Sequence, residues 1–350
     1  MTHKHVLVTG GAGFIGSHLA EALLRRGAAL TIVDNLNDFY SPAWKRANLN
    51  DVRVSGAYTL HECDICDLPA LRKAFLASRP EAVIHLAAYA GVRPSIQKPR
   101  LYEQVNVAGT LNLLEMIREF RIPKLIFGSS SSVYGNSSMP PFRENDVQLR
   151  PISPYAATKL AAELLAYTYA HLYGISTVCL RFFTVYGPRQ RPDLAIHKFV
   201  AAFEAGMPIP VYGDGTAGRD YTFVDDIVSG ILAALDHEPM AAGVPFDVFN
   251  LGNSSPVTLN HLLSCLEEAT GQTAIRQQLP LQAGDVNLTW ASVEKSSAIL
   301  GYRPQTDLRT GIQHFVKWYR SAGNDRKLTL PATAVREHLG VAGSQQLVTM

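Results

Sequence analysis

The segment Val6-Leu7-Val8-Thr9-Gly10-Gly11-Ala12-Gly13-Phe14-Ile15-Gly16 constrains this chain more than any other. A short apolar run enters three glycines spaced three apart, Gly10, Gly13 and Gly16, and leaves as a helical pattern whose first turn holds Phe14 and Ile15. Gly10 suits a tight turn, Gly13 lets the backbone approach a pyrophosphate, and Gly16 lets the helix lie close on the strand. The helix start offers unpaired N–H groups and a positive dipole end to phosphate. Asp34, followed by Asn35, ends the next strand-like run about twenty residues on, where a carboxylate accepts from adenosine ribose hydroxyls and repels a 2′-phosphate. The reading is a dinucleotide site that favours NAD over NADP.

Strand-like and helical patterns alternate through the first half. Strands are expected at His5–Thr9, Leu30–Val33, Ala57–Leu60, Ala82–Leu86, Leu125–Ser129 and Thr177–Phe182, with helices at Ser17–Arg26, Leu68–Ser78, Val105–Phe120 and Tyr155–Tyr173. That order implies right-handed crossovers and an α/β, doubly wound parallel sheet covered on both faces. After Tyr186 prolines and glycines punctuate shorter elements, then a strand Phe246–Leu251 and a helix Asn260–Thr270; Gln282–Lys317 alternates loops and short helices, and the polar tail from Lys327 is loosely held. Of 350 residues 47% are apolar, enough for a sizeable core, and 32 basic against 30 acidic residues give +2. That balance excludes a nucleic-acid binder and a disordered chain. No run of eighteen apolar residues occurs, nothing resembles a signal peptide, and four cysteines make no disulfide framework, so a cytoplasmic, soluble chain is expected. Cys63 and Cys66 lack a second pair, so no metal site is read and both are taken as buried small residues.

Tyr155-Ala156-Ala157-Thr158-Lys159 opens a helix, and residues four apart share one face. A free phenol titrates near pH ~10, and a neighbouring cation favours its ionised form. The preceding strand ends in Gly128-Ser129-Ser130-Ser131-Ser132-Val133-Tyr134-Gly135, which puts four hydroxyls at the carboxyl edge of the sheet, where open parallel sheets bind ligands. One of those serines can relay a proton between a sugar hydroxyl and Tyr155; one or two of the four bond only the local backbone. Asp64, with Ile65, either contacts adenine or caps the helix that follows.

Together these residues resemble the extended short-chain dehydrogenase/reductase family, from about Val6 to about Trp318. His85-Leu86-Ala87-Ala88, Asn106 with Gly109-Thr110, and Asp225-Asp226 belong to the same pattern. The resemblance implies a Rossmann-type domain over 1–185 with a returning segment near 222–252, and a smaller α/β C-terminal substrate domain near 186–221 and 253–326. It also implies a tightly held NAD, contacted by Leu86, Ala87, Ala88 and Asn106 besides the glycine loop, and a UDP-sugar substrate. Helices at Leu101–Phe120 and Tyr155–Tyr173 imply a homodimer.

Within the family the chain most resembles UDP-glucuronate 4-epimerases, through Asp34-Asn35-Leu36-Asn37-Asp38, Ala90-Gly91-Val92-Arg93 and Arg181-Phe182-Phe183-Thr184-Val185-Tyr186-Gly187-Pro188 with Arg189-Gln190-Arg191-Pro192-Asp193. The resemblance gives Ser130, Tyr155 and Lys159 as a catalytic triad, Ser132 as a second sugar contact, and Thr184 and Arg191 as holders of the sugar carboxylate. Arg93 and Arg219 join the substrate site, Arg219 at the diphosphate; Lys198, Phe199 and Tyr212 line the nucleotide pocket, and Asp285 binds ribose or caps a helix. The implied reaction oxidises C4, turns the 4-keto sugar and reduces it from the other face. Dehydratases and decarboxylases share the first step and carry an acid before Val-Tyr-Gly; Ser131 and Ser132 stand there instead. A 4-epimerase of UDP-glucose or a UDP-N-acetylhexosamine and a UDP-glucuronate decarboxylase are the alternatives.

Overall fold

The structure, a computed structural model, describes residues 4–136, 139–239, 243–280 and 288–322. The strands are β1 (His5–Thr9), β2 (Ala29–Val33), β3 (Thr59–His61), β4 (Ala82–His85), β5 (Lys124–Ser130) and β6 (Ser176–Phe182). They continue as β7 (Thr184–Tyr186), β8 (Ile209–Tyr212), β9 (Gly218–Phe223), β10 (Phe246–Leu251), β11 (Pro256–Thr258) and β12 (Arg276–Leu279). The helices are α1 (Phe14–Arg25), α2 (Pro42–Ser55), α3 (Leu68–Ser78), α4 (Val92–Gln97), α5 (Pro99–Glu103) and α6 (Thr110–Glu119). The rest are α7 (Pro154–Tyr173), α8 (Ala195–Glu204), α9 (Val224–Asp236), α10 (Leu259–Thr270), α11 (Glu294–Leu300) and α12 (Leu308–Ser321). Among the described residues no helix is long and apolar enough to cross a membrane.

Seven parallel strands form one sheet in the order β10-β6-β5-β4-β1-β2-β3, as the alternating pattern predicts. Its side chains alternate between two cores. Val6 and Val8 face Leu19 and Leu23 of α1 and Ile227 and Ile231 of α9, while Leu7 faces Phe75 of α3, Leu113 of α6 and Ala166 of α7. The chain runs from β1 to one side and returns to the other at β4, so the carboxyl ends of β1 and β4 flank a crevice. Two small sheets, β11-β9-β7 and β12-β8, come from the second half.

Local chemistry sets the boundaries. The Ser153 hydroxyl accepts from the Ala156 N–H at 3.2 Å, Pro154 opens α7 and left-handed Gly174 closes it. α1 begins at Phe14, three residues before the expected Ser17, because Gly16 is part of the first turn. β3 sits at Thr59–His61, behind a Gly56 of φ +151°, and not at Ala57–Leu60. The expected helix at Val105–Phe120 opens as a π-helix, Gln104–Gly109, before α6. Sequence periodicity misses α2, whose buried stripe of Lys45, Asn48, Leu49 and Val52 is half polar. α12 spans fourteen residues where short helices are expected. The tail from Lys327 lies outside the described residues.

Three histidines are buried neutral. Burial first, and a nearby cation second (Arg189 and Lys159 respectively), push His18 and His85 down to about 3. Burial pushes His197 down to about 4. The unfolded chain therefore binds more protons between pH 4 and the ordinary 6.5, so stability falls as pH drops through that window, by about 1.4 kcal/mol per pH unit for each histidine. Urea unfolding of His197→Phe at several pH values is expected to show a slope shallower by about one proton than the parent.

Candidate active site

Packing forces the glycine loop. Gly10 has φ +73°, and a Cβ there would lie 2.7 Å from the Ala87 nitrogen; a Cβ on Gly16 would lie 2.1 Å from the Gly10 carbonyl oxygen. Gly13 is crowded only by that same oxygen, at 3.2 Å, so its other sides are open. No side chain caps the start of α1, which leaves its first-turn N–H groups to a ligand. Asp34 is buried, with one oxygen accepting from the Ala12 N–H at 3.0 Å and the other from the Leu36 N–H at 2.9 Å. Burial raises its carboxyl above the ordinary value, against the Lys45 charge and those N–H groups. The Asn35 amide donates to Asp64 at 2.7 Å, and the other Asp64 oxygen accepts from the Cys66 N–H at 2.8 Å. The cap of α3 is Asp67, which accepts from the Ala70 N–H at 3.0 Å, so Asp64 is free of that task.

These groups line one cleft of 470 Å³. It also receives Phe14, Ile15, Ile65, Leu86, Ala87 and Ala88, and from the other wall Ser130, Ser132, Tyr155, Lys159, Thr184 and Arg191. Asn37, Phe39, Tyr40, Lys45, Tyr89, Phe182 and Leu194 line it as well; several follow Asp34 on the loop into α2, the helix that periodicity does not reveal. Lys45 donates to the side-chain amide oxygen of Asn37 at 3.0 Å and sits 5.1 Å from the centre of the Tyr40 ring.

Tyr155 and Lys159 are one turn apart on α7, yet their charges have different neighbours. Burial raises the Tyr155 phenol, opposed by a hydrogen bond with Ser130 and by the Arg191 charge. The Lys159 ammonium lies 4.3 Å from the centre of the Phe127 ring, and burial pushes it down to about 8 against the pull of Glu163. The cation whose charge lowers the phenol is thus Arg191, which lines the same cleft, where the spacing alone suggests Lys159. Arg191 binds Asp193 through two parallel bonds, Nε at 2.9 Å and Nη2 at 2.8 Å, and lies 5.3 Å from the centre of the Phe39 ring. Burial disfavours this guanidinium, and Asp193 more than offsets it.

Several expected site residues lie elsewhere. Asn106 is buried in the π-helix, clamps the Tyr89 backbone at 2.8 and 3.0 Å and bonds Thr158 at 3.1 Å, so it shapes the cleft wall and does not line it. Phe199 is buried in the main core. Arg93 lies 5.5 Å from the centre of the Tyr212 ring, and its charge acts on Lys198, which makes a separate cluster. Arg219 donates to the Gly218 carbonyl at 2.9 Å on β9. Asp285 falls outside the described residues. Cys63 and Cys66 are half-buried rather than buried, and Cys63 lines the cleft. Burial and nearby carboxylates push their thiols up to about 11 and about 12, so both stay protonated.

A dinucleotide cradle facing an acid–base hydroxyl across one crevice is the arrangement of enzymes that oxidise or reduce a carbinol carbon with a pyridine nucleotide. The chain belongs to the NAD dependent epimerase/dehydratase family, which matches residues 6–252. NAD is therefore its cofactor. The chain is 42% identical to the UDP-glucuronate 4-epimerase of Thermodesulfobacterium geofontis, over 90% of this chain and 95% of that relative. It is 44% identical to UDP-glucuronate 4-epimerase 4 of Arabidopsis thaliana, over 90% and 75%. The Bacillus cereus UDP-glucuronic acid 4-epimerase, solved with UDP-glucuronic acid and NAD, is similar in fold with a TM-score of 0.82 and 34% identity, over 90% of this chain and 98% of that one. The UDP-glucose 4-epimerase of Thermotoga maritima, solved with UDP-glucose, gives the same values.

Beneath Lys159, Glu163 and Arg181 form a buried two-bond ion pair at 3.0 and 2.8 Å, and the Ser129 hydroxyl donates to Glu163. Removing one partner strands the other charge. Arg181→Leu is expected to lower unfolding free energy by about 3–5 kcal/mol, and Glu163→Leu with Arg181→Leu to recover much of that, by denaturant titration.

Proposed function

We propose that this enzyme is an NAD-dependent UDP-sugar 4-epimerase that interconverts UDP-glucuronate and UDP-galacturonate. One observation carries the choice of an acidic sugar: a guanidinium, Arg191, sits in the cleft with its charge acting on the phenol of Tyr155. A carboxylate held at that cation would bring the hexose beside the hydroxyl that handles the C4 proton. The relatives named for this reaction support the same reading.

The residues present suit NAD. First-turn amides of α1 would hold its diphosphate, Asp34 and Asn35 its adenosine ribose, Asp64 and Ile65 its adenine, and Lys159 its second ribose. Bound there, NAD would supply a two-electron acceptor for the hydride of sugar C4, regenerated within the cycle. Tyr155 takes the proton of the 4-hydroxyl, directly or through Ser130, and gives it back at the end. Burial raises the phenol, and Ser130 and Arg191 offset part of that rise, which brings the group toward the range where it can exchange a proton. Ser132 and Thr184 offer further hydroxyls to the sugar in the same cleft. A 4-keto uronate is a β-keto acid that readily loses carbon dioxide; Arg191 and Thr184 hold its carboxylate against that loss. Ser131 and Ser132 supply no acid for elimination, which favours return of the hydride. The cluster of Arg93, Tyr212 and Lys198, with Arg219, would meet the UDP moiety.

On this reading the chain works as two units. An NAD-binding unit spans 1–185 with 222–252, and a substrate unit spans 186–221 with 253–326. We place it in the cytoplasm as a homodimer. Leu111 of α6 and Leu164, Tyr167, Leu172 and Tyr173 of α7 leave apolar surface exposed, which suits a helix-to-helix contact between copies. A neutral-sugar 4-epimerase is the second reading, and Asp193 favours it, because it already uses two donors of the Arg191 fork.

NMR of the products formed from UDP-glucuronate without added NAD tests the proposal, with UDP-galacturonate as the expected product and no pentose. Equal turnover of UDP-glucose would favour the second reading, and a UDP-pentose product would make the chain a decarboxylase. Tyr155→Phe is expected to lower kcat by about a hundredfold or more with NAD still bound; unchanged turnover removes the phenol from the mechanism. Arg191→Ala is expected to lower kcat/KM for UDP-glucuronate by about tenfold or more and to release carbon dioxide.

A further inference from the structure

The loop that carries Arg191 is bolted to the cofactor helix. Between Gly187, at φ +141°, and Arg189, at φ +63°, the chain reverses, and the Gln190 N–H donates to the Gly187 carbonyl at 3.1 Å. The left-handed region is unfavourable for an arginine, so something must hold it. The side chain does. Its guanidinium is nearly buried and binds Glu21 of α1, lies 3.4 Å from Asp51 of α2, and donates to Ser17 of α1 at 3.4 Å. The neighbouring residues are tied as well. His18 of α1, neutral, donates from Nε2 to the Pro188 carbonyl at 2.9 Å, and His197 donates to the Gln190 carbonyl at 2.8 Å. Two residues beyond Arg189, Arg191 lines the same cleft as Tyr155, and its charge acts on the phenol. The opposite end of this linkage, α1, begins at the glycine loop.

We infer that Arg189, held by Glu21 and Asp51, is a positioning residue that registers the Arg191 fork against the cofactor helix, and so decides how strongly an acidic UDP-sugar is preferred over a neutral one. The inference rests on the reading of Arg191 given above. Arg189 itself is absent from the cleft lining. Its loss would leave the acid–base groups and the UDP contacts in place, and would let the loop relax from its left-handed turn. The defect then falls on the carboxylate alone.

The test uses the holoenzyme and three variants, Arg189→Met, Glu21→Gln and Arg189→Lys. Each is assayed with UDP-glucuronate as substrate and with UDP-glucose as a competitive inhibitor that lacks the carboxylate. Arg189→Met is expected to raise KM for UDP-glucuronate by about tenfold or more while kcat stays within about threefold and the Ki of UDP-glucose within about twofold. Glu21→Gln moves KM the same way by a smaller factor, and Arg189→Lys recovers part of the loss, since it keeps the charge but not the fork. If Arg189→Met does not fold, the other two variants carry the same comparison. An unchanged KM, a loss confined to kcat, or a parallel rise in Ki overturns the inference. A parent enzyme inert toward UDP-glucuronate would instead overturn the substrate reading on which it rests, and the two failures are told apart by the parent alone.

Discussion

The closest constraint in the molecule is the approach of α1 to the turn before it, where a single methyl group on Gly16 would lie 2.1 Å from the Gly10 oxygen. That approach brings the uncapped start of α1 to the carboxyl edge of the sheet. It also fixes the rest of the helix. Ser17, His18 and Glu21 stand on the first two turns and face the loop Gly187–Asp193. One helix thus offers phosphate-binding amides at its tip and, along its side, anchors for the loop on the opposite wall of the cleft. The glycine loop and the Arg191 wall of the cleft are thus joined through one helix.

Charge in the cleft is arranged by burial. Lys159 is pushed down to about 8, and Glu163 beneath it works in the other direction. Arg181 grips both oxygens of Glu163. The layers therefore alternate in sign from Lys159 to Glu163 to Arg181, with Glu163 acting on Lys159 by its charge and bound directly to Arg181. Such a stack is vulnerable if one member is removed and stable when whole. The phenol of Tyr155 is outside that stack, so its proton responds to Ser130 and Arg191 and not to the structural pair.

The sheet and its crevice were legible in the sequence because parallel strands covered on both faces must be apolar throughout, as Ala82-Val83-Ile84 is, and because glycines at fixed spacing have few other uses. The acidic residue and the Tyr-Lys helix were legible for the same reason, since spacing alone places them at one edge. What escaped was set by tertiary context. α2 buries Lys45 and Asn48 among its inward residues, so polar letters hide an inward face. Asn106 reads as a ligand by pattern, yet its amide is consumed by the Tyr89 backbone. Phe199 is an aromatic near a basic residue in sequence, and burial decides that it is core. The neighbour of the phenol is set by a loop thirty-six residues on, Arg191, which no helical period reports.

Asp193 gives the clearest view of how the fork can serve an acidic ligand. A buried guanidinium without a partner is expensive, and the two-bond pair removes that expense in the absence of substrate. It also fixes the plane of the guanidinium, so the N–H groups it leaves, two on Nη1 and one on Nη2, keep their orientation. Asp193 answers more than one cation, because Lys198 acts on it as well, and Arg93 acts on Lys198. A second carboxylate arriving at Nη1 would therefore enter a row of three cations and one anion, and would bring the row closer to neutrality. On that account preference for an acid would come from the N–H groups that Asp193 leaves on the fork and from the charge of the row behind it.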